Sequence, residues 1–147
     1  MANAPDPPVL DKGVLTISLE VVRLTLHVLA ATVWVGGQIV LPFLVGPLRK
    51  AAPATVAIAA RAYAWVAWPA FGVLVLTGGW MMATAGDESA AFRLTLMIKL
   101  TLVLVSGIGA AVHSLVKNPT LRGIGAGAGL VSALAVVLLG VALVEAP

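Results

Sequence analysis

The chain contains no cysteine, so disulfides, iron–sulfur ligation and thiolate metal sites are excluded. Charge is scarce too. Only 10% of the 147 residues are Asp, Glu, Lys or Arg, against roughly 25% in a soluble domain. The nine Lys and Arg are thinly spread, and no basic tract is dense enough to form a nucleic-acid surface. A nucleophile beside a base, a pair of carboxylates and a zinc-spaced histidine pair are also missing. GIGAGAG at 123–129 holds a loose GxGxxA, but without the preceding strand that a dinucleotide fingerprint needs.

What the chain does have is apolar sequence, at 61% of residues. Four runs stand out: Val14 to Val45, with Gly36, Gly37 and Pro42 as weak points, Thr55 to Met82, Ala91 to Leu115 and Gly123 to Val144. Each is long enough to cross a hydrocarbon core of about 30 Å at 1.5 Å per residue. The connectors GPLRKAAPA, TAGDESA and VKNPTLRG are short, which makes successive spans antiparallel. The expectation is an all-α, integral membrane, antiparallel four-helix bundle in which residues 14–147 form one unit. Residues 1–13, MANAPDPPVLDKG, read as an irregular segment. They do not make a signal peptide: the region is acidic, and the run that follows exceeds a 7–15-residue signal core.

Arg49, Lys50, Arg61, Lys117 and Arg122 fall at one end of this bundle. The six acids (Asp6, Asp11, Glu20, Asp87, Glu88, Glu145) fall at or toward the other, with Lys12, Arg23 and Arg93. The positive-inside rule then predicts a cell (plasma or inner) membrane protein with both termini outside and connectors 1–2 and 3–4 cytoplasmic.

The polar residues within the spans share faces. Glu20, Arg23, His27, Ala31, Trp34 and Gln38 recur every three or four residues, along one stripe of span one. In span three, Lys99, Ser106 and His113 recur at sevens, with Thr95 a turn before. Spans two and four offer little that could ligate or titrate. His27 lies 22 residues before Arg49 and Lys99 lies 18 before Lys117, so they stand roughly 33 and 27 Å above the inner boundary. The two can share a site in the outer half. His113, four residues before Lys117, stands near the inner boundary as a separate candidate, and a packing role suits it better. His27 itself reads either as a ligand or as a hydrogen-bonding helix contact. Gly125-xxx-Gly129 and Gly107-xxx-Ala111 read as small-residue faces for close packing, within the chain or against a second copy or a membrane-complex partner.

RLTLHVLAATVWVGGQI resembles the first helix of copper-resistance D (CopD) proteins, where an Arg, a His and a Trp-x-Gly-Gly recur in that order. It also resembles the opening helix of HemJ-type protoporphyrinogen oxidases. WPAFGVLVLTGGW is similar to the second helix of these proteins and LMIKLTLVLV to their lysine-bearing third. LRGIGAGAGLVSALAVVLLGVAL is like the closing helix, but Gly123 to Val131 lack the polar signature of the HemJ-type fourth helix. The HemJ resemblance implies haem b, with its helix-one histidine and helix-three lysine roles falling on His27 and Lys99; the expectation built on it makes His27 the axial ligand, Lys99 and Arg23 charge partners and Trp34 a pocket wall. It leaves open whether the chain is an oxidoreductase. The CopD resemblance implies copper, held by His27 with Met81, Met82 and Met97, since imidazole and thioether suit Cu(I). A third reading is an accessory subunit whose polar seam only packs.

Overall fold

The computed structural model describes residues 17–86 and 89–145. The 1–13 segment, the first residues of the predicted opening span, Asp87 and Glu88 lie outside the described residues, as does the side chain of Glu145. Four helices follow in order: α1 (Leu19–Ala51), α2 (Pro53–Ala83), α3 (Ala90–Leu115) and α4 (Pro119–Glu145). All four are long and apolar enough to cross a membrane, and the fold is an all-α four-helix bundle suited to a lipid bilayer.

Local chemistry sets the helix ends. Ser18 Oγ accepts from Val21 N–H at 3.3 Å and Ser89 Oγ from Phe92 N–H at 3.2 Å, each satisfying an orphan donor of a first turn. Asn118 Oδ1 does the same for α4, accepting from Thr120 and Leu121 at 2.9 and 3.2 Å, with Pro119 preset for the first helical position. α1 runs further than its sequence suggests. It carries on through Pro42 and Pro47 to Ala51, so the GPLRKAAPA connector is almost wholly helical and Ala52 alone separates α1 from α2. Intramembrane helices tolerate proline because water does not compete for the freed carbonyls and neighbouring groups re-satisfy them. At 33 residues α1 is about 50 Å long, well beyond the hydrocarbon core.

α1 packs along α2 and α3 along α4, and α1 also meets α4. The α3–α4 seam is made of missing side chains. A β-carbon at Gly109 would stand 2.6 Å from the Gly125 carbonyl oxygen, and one at Gly125 would stand 2.7 Å from that of Gly109. Backbone lies against backbone, as the small-residue spacing of α4 predicts. Gly107 serves α2 instead, where the Phe71 ring occupies the place of its side chain.

The buried interior is small: Ala30, Trp34, Ala67, Leu74 and Ala133, with Thr77, Ser106 and Ser132. Large apolar side chains such as Leu29, Phe43, Trp65, Leu76, Leu104 and Leu138 point outward instead. In water such a surface would aggregate; in a bilayer it faces the acyl chains.

Candidate functional site

Trp34 anchors the centre. It is 4% exposed, and its indole Nε1–H donates to Ser106 Oγ of α3 at 3.1 Å. Its ring lies 4.4 Å from Phe71 and 5.5 Å from Trp68, both on α2. The hydrogen bond fixes α1 and α3 at one level. Two turns before Trp34 stands His27, and two turns before Ser106 stands Lys99. With both helices running the same way, the two residues share a level, as the depth argument predicts.

The nearest partner of His27 is on α2. His27 Nδ1 lies 2.8 Å from Thr77 Oγ1. The Thr77 hydroxyl has one proton, and it goes to the Val73 carbonyl at 2.7 Å, with the Leu74 carbonyl also in reach at 3.2 Å. With that proton on the Val73 carbonyl, Thr77 Oγ1 accepts from His27 in the tautomer that carries its hydrogen on Nδ1. In that tautomer Nε2 keeps its lone pair, and the Leu74 carbonyl also lies within reach of the ring. Gly78 lies beside the ring, where a β-carbon would be in ordinary van der Waals contact with His27 Cε1 at 3.4 Å. An imidazole with one nitrogen tied to an acceptor and the other free is in the state that metal-ligating histidines adopt.

Lys99 extends toward α4, where Gly140 leaves it room: a β-carbon at Gly140 would stand 3.3 Å from Nζ. Arg23 turns the other way. Its Nη1 donates to Thr84 Oγ1 at 2.7 Å and its guanidinium lies 5.6 Å from the centre of the Trp80 ring. Thr84 is two turns beyond Thr77 on α2, about 10 Å outward, so Arg23 marks a second polar point rather than joining His27.

The remaining candidates fall outside this centre. Met81, one turn from Thr77 on the same face of α2, and Met82 are partly buried, whereas Met97 is 56% exposed on α3. His113 closes the opposite end of the α3–α4 pair. Its Nδ1 meets the Arg122 carbonyl at 3.1 Å, and Arg122 Nε donates back to the His113 carbonyl at 3.1 Å. That reciprocal pair is a packing device. Among the described residues no group of three His, Cys, Asp or Glu side chains could hold a metal ion.

The interior bears on what can bind. A cavity of about 30 Å³ lies at its centre, with Trp34, Phe71, Leu74, Ser106 and Ala133 in its walls. That holds a water or two, far less than the ~300–1,000 Å³ of small-molecule sites. A porphyrin does not fit among these four helices as packed. The donor chemistry of His27 and Lys99 does suit one, so it would have to meet them from the edge of the bundle.

Sequence reading missed Thr77 and Thr84 because threonine is unremarkable in an apolar helix. It also missed Tyr63, whose hydroxyl donates to the Val33 carbonyl of α1 at 3.1 Å. No protein-family model, curated protein or solved structure matches the chain.

Proposed function

We propose that the chain is a haem-b-binding integral membrane protein with a redox or electron-transfer role. His27 Nε2 is the axial ligand and Lys99 the cation for a propionate, both met from the edge of the bundle, while Trp34 stays in the packed interior and steadies the helix that carries His27. One observation carries the proposal: the 2.8 Å contact with a threonine whose own proton is committed, which turns the free nitrogen of His27 into a ligand. Bound haem b would supply one-electron chemistry. The chain's part is to hold the imidazole in one tautomer and to present a cation at the same level. A basic neighbour favours an anionic group such as a haem with its propionates over a bare metal cation. In this reading both termini are outside and connectors 1–2 and 3–4 cytoplasmic. Gly123 and Gly127 of α4, with open space where a side chain would stand, form the face for a second copy or a complex partner.

Copper is the second reading, favoured by the place of Met81 one turn from Thr77. A His–thioether pair suits Cu(I). The deciding experiment is an absorption spectrum of detergent-purified protein, from cells with ample haem, before and after dithionite, with elemental analysis of the same sample. A Soret band that shifts on reduction supports haem. Stoichiometric copper with no porphyrin absorbance supports the second reading. Neither would leave a structural subunit.

A further inference from the structure

A second polar site lies at the membrane surface, independent of the haem reading. A pocket of about 190 Å³ opens between the first turn of α1 and the end of α2, lined by Leu19, Glu20, Arg23, Trp80 and Thr84. Its depth follows from α1. Between Arg23 and Arg49 there is no Asp, Glu, Lys or Arg, so the hydrocarbon-crossing part of the helix begins directly after Arg23. The pocket therefore sits at head-group level, where an indole such as Trp80 is at home.

Among the described residues the contacts of Arg23 are a hydroxyl and an indole face, neither of which carries negative charge. Thr84 spends its proton on the Trp80 and Met81 carbonyls at 3.1 and 3.3 Å, so it can only accept from the guanidinium. Arg23 Nε is buried without a hydrogen-bond partner among the described residues. A buried, unpaired N–H of a charged group is costly, and a phosphate in the pocket, with several acceptor oxygens for the terminal N–H groups of the guanidinium, offsets it by supplying the missing negative charge. Glu20, one turn earlier and in the same pocket, would repel a simple anion. A ligand with a phosphate and an ammonium a few bonds apart answers both side chains. The volume is below the ~300 Å³ of drug-sized sites, which suits a head group better than a larger polar molecule. Leu19, 67% exposed beside the pocket, offers an apolar edge for the start of the acyl chains.

We propose that this pocket binds the head group of an amino-phospholipid of the phosphatidylethanolamine type, with the phosphate on Arg23 and the primary ammonium on Glu20. Phosphatidylcholine carries both charges but no N–H donor, and phosphatidylglycerol carries no cation.

The test is native mass spectrometry of the protein released from nanodiscs containing equal parts phosphatidylethanolamine, phosphatidylcholine and phosphatidylglycerol. The wild type is expected to retain phosphatidylethanolamine severalfold over the other two. Arg23→Gln should lose retention of all three. Glu20→Gln should retain phosphatidylglycerol at least as well as phosphatidylethanolamine. Circular dichroism checks that each variant is folded; if Arg23→Gln is not, Thr84→Val, which removes only the acceptor that orients the guanidinium, replaces it and should weaken retention. Excess inorganic phosphate should leave the bound lipid in place. Equal retention of the three lipids by the wild type, a folded Arg23→Gln variant that retains lipid like the wild type, or displacement by inorganic phosphate would each overturn the assignment, the last by showing a plain anion site.

Discussion

Trp34 and Ser106 share a buried hydrogen bond of 3.1 Å that sets the level of α1 against α3. The rest of the site follows from it. Two turns before each of them in the sequence stand His27 and Lys99, and the Trp34 ring packs on Phe71 and Trp68. The pin should show as coupling between its two partners. Ser106→Ala should cost about 1 kcal/mol in the wild type, from a buried indole N–H left unpaired, and close to nothing in a Trp34→Phe background. Reversible unfolding in mixed micelles measures the cycle. Equal costs in both backgrounds would mean that the bond contributes nothing.

Thr77 should matter for the ligand more than for the fold. Thr77→Val keeps the shape but removes the acceptor of His27 Nδ1–H, and loss of such an outer partner typically weakens metal affinity about 10- to 100-fold. Thr77→Ser restores the oxygen and should restore binding. Titration of the cofactor-free protein with haem checks both. A valine variant that binds like the wild type would show that the contact does not orient the ring.

The adjacent glycines of VGGQ should differ in tolerance. A β-carbon at Gly37 would collide with the Tyr63 phenol, whose hydroxyl is held by the Val33 carbonyl, whereas Gly36 has open space around it. Gly37→Ala should cost about 1–3 kcal/mol through overpacking. Gly36→Ala should be neutral or slightly stabilising, since alanine is the better helix former. Thermal unfolding of the two variants decides. The reverse order would contradict the α1–α2 packing described here.

Lys99 presents a trade-off. A lysine within a membrane span costs up to about 2.5–3.5 kcal/mol relative to an apolar residue. Lys99→Met should therefore raise the thermal stability of the cofactor-free protein while weakening retention of haem. Stabilisation with undiminished retention would remove Lys99 from the site.

The four apolar runs, their antiparallel order and the common level of His27 and Lys99 were legible in the sequence because spacing and hydropathy encode them directly. The end of α1 was not. Gly46, Pro47 and Pro53 look like a loop, but α1 carries on through Pro47, and Pro53 takes the first position of α2, where its missing N–H costs nothing. The partner of His27 was hidden for another reason. Thr77 is one threonine among many in apolar helices, and only the 2.8 Å contact across the α1–α2 seam shows that its hydroxyl is used. The outward turn of Arg23 was hidden as well, since stripe spacing places it beside His27 and cannot say that Thr84 and Trp80 draw its guanidinium away.

The most direct test of the account is the dithionite-reduced minus oxidised spectrum of His27→Ala beside that of the wild type, both purified from haem-replete cells and both shown to be helical. The account predicts a Soret and α-band difference in the wild type and its loss in the variant. A His27→Ala protein with the full wild-type spectrum would contradict the assignment of His27 Nε2 as the ligand.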